Sequence, residues 1–158
     1  MINAFIGTIH AKTDVKGRVF VPASFRKILQ SSDELRLVLR KDVYKDCLVL
    51  CLESIWKETL DDLRQRLNEW DEEEDNLYRS ISADVETVEL DSSGRILIPK
   101  RYLREVKISN AVCFVGKNSS IEIWNPDQFT KVIMSADDLK SNVRKFLSSS
   151  RRTNGKND

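Results

Sequence analysis

Asp14-Val15-Lys16-Gly17-Arg18-Val19-Phe20-Val21-Pro22-Ala23-Ser24-Phe25 returns later in the chain as Asp91-Ser92-Ser93-Gly94-Arg95-Ile96-Leu97-Ile98-Pro99-Lys100-Arg101-Tyr102. Asp, Gly, Arg and Pro hold the same places in both copies, and the other matches are apolar for apolar or aromatic for aromatic. An internal repeat decides the architecture before any single element does. Asp at the first place of a four-residue turn accepts hydrogen bonds from backbone amides further on, and Gly at the fourth tolerates positive φ. Together they predict a hairpin loop with a bulge, formed by Asp14 and Gly17 and again by Asp91 and Gly94. A bulge re-aims the side chain that follows it, here Arg18 or Arg95. Residues 19–21 and 96–98 then read as short buried strands. Pro22 and Pro99 end each strand and suit the first turn of a helix.

The flanks repeat as well. In the first half, residues 5–11 alternate as a strand, and Phe25, Ile28 and Leu29 give a short helix that Ser31 and Ser32 end. Residues 35–39 read as a strand and 41–46 as a polar turn. Residues 47–52 form a continuous apolar strand, buried on both faces. The second half offers a strand over 85–90 and a short helix through Tyr102, Leu103 and Val106. A hairpin of 111–115 with 120–124 follows, around Gly116-Lys117-Asn118-Ser119. Leu48, Leu50 and Trp56 fall at the places of Ile121, Ile123 and Phe129.

Between the halves, Ser54 is the expected cap of a helix whose stripe is Trp56, Leu60, Leu63, Leu67 and Trp70. The acidic run 71–75 reads as a solvated turn or a helix start, with Leu77, Tyr78 and Ile81 in a second helical piece. Asn125-Pro126 starts a helix with Gln128 at the third place after the cap. Ser135 begins one more, with Leu139, Val143 and Phe146 as its apolar face. The expected class is α+β: repeat 1 over 5–53, connecting helices over 54–83, repeat 2 over 84–125, C-terminal helices over 126–147. A polar tail, 148–158, is expected to be disordered. A repeat of about 75 residues is too long for a solenoid unit. Each half has little core of its own, so the two are expected to close together as a barrel with interleaved hairpins.

The chain has 158 residues and a net charge of +1, so total charge names no partner. Its distribution is more informative. Residues 12–27 carry +4, residues 91–107 carry +3, and residues 53–75 carry −7. The repeated stretches are the basic parts of a neutral protein, which suits a polyanionic partner. Arg makes bidentate contacts to phosphate or to guanine edges. Arg18 and Arg95 are therefore the candidate contacts. Lys12, Lys16 and Lys27 around the first loop, and Lys100, Arg101 and Arg104 after the second, are placed to reach the phosphate backbone.

No Gly-rich phosphate loop is present, and the single histidine, His10, has no nucleophile motif beside it. Cys47, Cys51 and Cys113 sit among apolar residues, as buried thiols do. With His10 they have the ligand types of a zinc site, but in strands that argue against one. No metal, cofactor or enzymatic role is expected. The absence of a signal-peptide pattern and of a bilayer-length apolar run leads to the expectation of a cytoplasmic protein.

The duplicated Asp-x-x-x-Arg motif, Gly-Arg-[Val/Ile]-x-[Val/Ile]-Pro in each half and Ile121-Glu122-Ile123-Trp124 resemble the MraZ family. That family comprises transcriptional regulators related to AbrB-type swapped-hairpin DNA-binding domains. The resemblance runs from about Phe5 to about Phe146. It implies two AbrB-like β-α-β-β halves in one pseudo-symmetric unit. It also implies ring-shaped homo-oligomers in the nucleoid, bound to direct repeats in double-stranded promoter DNA ahead of the division and cell-wall genes. The motif Arg maps to Arg18 and Arg95. The first copy, Lys16-Gly17-Arg18, fits more closely. The second has Ser93 in place of the lysine and is expected either to touch DNA or to serve assembly. The acidic helix over 53–69 is expected to face away from DNA. The alternative is an antitoxin-like protein-interaction module of the same fold, holding a partner on Trp56, Leu60, Leu63 and Leu67.

Overall fold

A computed structural model describes residues 4–148. The first half runs β1 (Thr8–Lys12), β2 (Arg18–Phe20), α1 (Ala23–Ser31), β3 (Leu37–Lys41) and β4 (Cys47–Leu52). Two helices follow, α2 (Glu53–Arg66) and α3 (Glu72–Ala83). The second half repeats the order as β5 (Val85–Val88), β6 (Arg95–Leu97), α4 (Lys100–Glu105), β7 (Ala111–Lys117) and β8 (Ser120–Trp124). The helices α5 (Pro126–Val132) and α6 (Ala136–Phe146) follow. Its contacts divide it into residues 1–126 and 127–158. The class is α+β, as expected.

The strands make a six-stranded antiparallel sheet, in the order β1-β7-β8-β4-β3-β5, and a two-stranded ribbon of β2 with β6. The order is symmetric about the β4–β8 seam, where Leu48 faces Ile123 and Leu50 faces Ile121. The first strand of each half lies beside the third strand of the other, β1 on β7 and β5 on β3. Among the described residues β2 and β6 pair only with each other as strands, so no strand bridges the outer edges of the large sheet. No closed barrel forms among the described residues, contrary to the expectation.

Alternation along the strands sorts the core. Leu37, Leu39, Leu48, Leu50, Val112, Phe114, Ile121 and Ile123 face a main core completed by Val19, Val21, Ile96 and Ile98 and by Phe25, Leu29, Tyr102 and Leu103 of the short helices. Val38 and Cys51, on the opposite face, pack with Trp56, Ile55, Leu60, Ile81 and Val85 under α2 and α3. The ribbon is thus covered on one side only. Phe20 and Leu97 are 55% and 54% exposed, which corrects the reading of 19–21 and 96–98 as wholly buried strands.

Smaller differences have local causes. Gly7, at φ +92°, breaks the alternation expected from residue 5, so β1 starts at Thr8. Phe5 instead bridges to Asn118, its amide donating to the Asn118 carbonyl at 2.8 Å. β3 begins at Leu37 rather than 35, and β5 ends at Val88 rather than 90. β4 runs straight into α2, whose first residue is Glu53. Ser54 lies inside that helix, and its amide and hydroxyl both donate to the Glu34 carboxylate, at 2.7 and 2.6 Å. Trp70 lies beyond the end of α2 and is 89% exposed, so it drops out of the stripe.

The acidic run opens α3: the Asp71 carboxylate accepts from the Glu74 amide. In the C-terminal unit, the Ser135 hydroxyl caps α6 by accepting from the Asp138 amide at 3.2 Å. Leu139, Val143 and Phe146 along α6 are about half exposed. Apart from Ser148, the tail expected to be disordered lies outside the described residues. Among the described residues no helix is long and apolar enough to cross a membrane.

Candidate nucleic-acid interface

Each motif folds into the same clamp. The Asp14 amide donates to the Arg18 carbonyl at 2.9 Å, and the Gly17 amide donates to the Asp14 carbonyl at 3.1 Å. Asp14 Oδ1 accepts from the amides of Lys16 and Arg18, both at 2.9 Å, while Oδ2 accepts from Arg18 Nε at 2.6 Å. In the second copy Asp91 Oδ1 accepts from the amides of Ser93 and Arg95, and Oδ2 accepts from Arg95 Nε, all at 2.9 Å. The loop glycines stand at φ +92° and +86°, which β-carbon-bearing residues rarely adopt. The amides of Arg18 and Arg95, joined by their side chains, hold the Asp14 and Asp91 carboxyls below the ordinary 3.8, against the opposing effect of desolvation.

The ribbon brings the two clamps together. Arg18 faces Leu97, Val19 faces Ile96 and Phe20 faces Arg95. One pair beyond each end, the Ile98 amide donates to the Gly17 carbonyl at 2.9 Å and the Val21 amide to the Gly94 carbonyl at 3.1 Å. Each loop is thereby fastened to the other half. Val19 and Ile96 point into the core, so Arg18, Phe20, Arg95 and Leu97 share the outward face. The arginine side chains are 36% and 27% exposed. Nε of each is taken by its Asp, and among the described residues neither guanidinium donates another hydrogen bond. The Nη edges are free for an outside acceptor. Arg95 also lies 5.6 Å from the centre of the Phe20 ring.

Of the other candidates, Lys16 sits exposed at the tip of the first loop and Lys12 sits exposed at the end of β1. Lys27, Lys100 and Arg104 are exposed on the short helices. Arg101 stands apart. It reaches Asp84 at 2.9 Å, Glu86 at 3.1 Å and Glu105 at 3.9 Å, and it covers the Tyr102 ring at 4.1 Å. Hydrogen bonds to Glu86 and Asp84 raise its pKa further, and its charge is engaged within the chain. The helical stripe considered for a protein partner is likewise partly used: Trp56 is buried, Leu60 packs beside it, and Arg40 lies 4.9 Å over the indole.

The thiols and His10 do not converge. Register places His10, Cys113, Trp124 and Cys47 in one row across the sheet, with the indole between the two cysteines. Burial pushes the Cys51 thiol up to about 11 and raises those of Cys47 and Cys113. Asp42, Cys47 and Glu122 do come within 4.8 Å of one another. Yet Glu122 already accepts from Trp124 Nε1 and Lys117 Nζ, and Asp42 accepts from the amides of Tyr44 and Lys45.

Two features escaped the sequence reading: both arginines lie on one face, and Phe20 and Leu97 accompany them. The usable signal was the matched place of Phe20 and Leu97, two residues after each Arg and hence on the same side of a strand.

Comparison with known proteins agrees with the duplicated motif. The family described as "MraZ protein, putative antitoxin-like" matches residues 82–145. Proteins named transcriptional regulator MraZ are similar over almost the whole chain. The one from Bacteroides fragilis is 46% identical over 149 residues, 94% of each chain. That from Bacteroides thetaiotaomicron is 44% identical over 96% of this chain and 97% of its own. A third, from Phocaeicola vulgatus, is 44% identical over 90% of this chain and 93% of its own. With both motifs in place and 44–46% identity over 90–96% of its length, the chain belongs to the MraZ family.

Proposed function

We propose that this protein is a transcriptional regulator that binds double-stranded promoter DNA through the β2–β6 ribbon. One observation carries the reading: two clamped guanidiniums, one from each half, leave the same outward face with their Nη edges free. A two-stranded ribbon fits the major groove, where Arg pairs with guanine O6 and N7. Arg18 and Arg95 are the base or phosphate contacts, and Lys16 and Lys12 add phosphate contacts. Arg101 ties α4 to the segment around Asp84 and Glu86. The names of the relatives support a regulator, and function by binding requires no catalytic group.

In this reading the crossed pairing of β1 with β7 and β5 with β3 is an AbrB-like exchange of hairpins. The protein works as a homo-oligomer, a ring, on direct repeats ahead of the division and cell-wall genes, in the cytoplasm at the nucleoid. One ribbon alone binds weakly. Several ribbons on one assembly, meeting repeats at matching spacing, gain effective concentration. The half-exposed Leu139 and Val143 on α6 are suitable contacts between copies.

The test is binding of the full chain to the DNA upstream of its own gene over a range of salt. The logarithm of affinity should fall linearly with the logarithm of salt, as counterions return to freed phosphates. Arg18→Ala should weaken binding by about tenfold or more. Unchanged binding by that variant refutes the assignment.

A further inference from the structure

We infer that Phe20 and Leu97 read thymine by packing on its 5-methyl group, beside the bases or phosphates that Arg18 and Arg95 engage. The inference rests on the DNA-binding reading and adds a source of sequence preference to it. Both side chains are more than half exposed on a face whose other members are two arginines. Exposed apolar groups need explanation when they sit within a charged site rather than scattered over a surface. The phosphates offer a phenyl ring or an isobutyl group no apolar partner, and the sugars, the same at every step, offer no sequence information. The major groove does offer one apolar feature, the thymine methyl, and apolar contact there separates T·A from C·G.

The geometry suits that partner. Arg18 lies opposite Leu97 and Phe20 lies opposite Arg95, so each cross-strand pair combines one guanidinium with one apolar group. Along a strand Arg18 and Phe20 are about 7 Å apart, roughly two base steps. The Arg95 guanidinium, 5.6 Å from the Phe20 ring centre, helps fix the direction the ring presents. The basic stretches 12–27 and 91–107 that hold this face favour DNA over another copy of the chain as its occupant.

The experiment compares two forms of the DNA upstream of the gene, one with thymine and one with deoxyuridine throughout, which removes every 5-methyl group. The full-length protein should bind the uracil form more weakly, by about fourfold for each methyl contacted. The double variant Phe20→Ala/Leu97→Ala should bind the thymine form more weakly and lose the difference between the two DNAs. Its salt dependence should match the parent's, because no phosphate contact is removed. Equal binding of both DNAs by the parent overturns the inference, while sensitivity to Arg18→Ala in the same assay leaves the regulator reading standing. A double variant that still prefers thymine as strongly as the parent also overturns it, whether or not its oligomeric state has changed. Failure of the parent to bind either DNA overturns both readings.

Discussion

Alanine at Gly17 and alanine at Gly94 should cost different amounts, although the two glycines occupy matching places. Both substitutions force a β-carbon onto backbone at φ near +90°, a strain of about 1–2 kcal/mol. What the new carbon meets differs. At Gly17 it would lie 2.6 Å from the Ile98 carbonyl oxygen, with Leu103 Cδ1 at 3.4 Å. That carbonyl is backbone, and the Ile98 amide on the same residue donates to the Gly17 carbonyl at 2.9 Å, so relief disturbs the end of the ribbon. Losing that bond adds about 1 kcal/mol, for a total of about 2–3 kcal/mol. At Gly94 the new carbon would lie 2.6 Å from Arg26 Cδ, in a side chain that can rotate away. The loss there is the bond from Arg26 Nη1 to the Val21 carbonyl at 3.0 Å, which water partly replaces. Gly94→Ala should therefore be the milder, by a part of that ~1 kcal/mol. Urea unfolding of both variants, with slopes matching the parent, measures the difference. In an Arg26→Ala background Gly94→Ala should retain only its backbone strain, which a double-mutant cycle isolates. If Gly94→Ala costs as much as Gly17→Ala, the distinction between backbone and side-chain obstruction is wrong.

Arg18→Lys keeps the charge but loses the Nε clamp and the forked donor, so DNA affinity should fall by about 5- to 100-fold with the salt slope nearly unchanged. Fluorescence anisotropy across salt concentrations separates the two effects. Asp14 and Asp91 have folded values depressed below 3.8, so their contribution to stability is present above that value and lost as pH falls through the lower folded values. The Asp14→Asn/Asp91→Asn variant should thus show a shallower loss of stability below pH 3.8 than the parent in acid titration followed by circular dichroism. Arg101→Ala should lower the thermal midpoint by freeing Asp84 and Glu86, while leaving the salt slope of DNA binding at the parent's value. A reduced slope would make Arg101 a phosphate contact instead.

The bends are legible in the sequence because their geometry is local. An Asp, a Gly three residues on and an Arg directly after it lie within five positions, and the hydrogen bonds of the clamp close inside that span. The same holds for the helix start at Ser135. Features that depend on distant partners escape. Ser54 looks like a cap until Glu34, 20 residues away, takes both its donors. The partners of Arg101, Asp84 and Glu86 in the preceding segment, are not legible from its own stretch either. The open edges of the large sheet are likewise a long-range matter, set by β2 choosing β6. The shared outward face of Arg18 and Arg95 depends on the same choice, so each arginine was visible alone while their juxtaposition was not.

The crossed pairing, β1 with β7 and β5 with β3, is also what a duplicated half-length chain would build. A protein half this long, with one loop and four strands, would leave its third strand bare until the first strand of a sister molecule covered it. Two such molecules meeting along the β4–β8 seam would build the same strand order as a homodimer. Fusing their genes, with α2 and α3 as the tether, turns a concentration-dependent encounter into a single folding event. It also lets the two loops diverge, which an obligate homodimer forbids: Lys16 in one copy and Ser93 in the other mark that freedom.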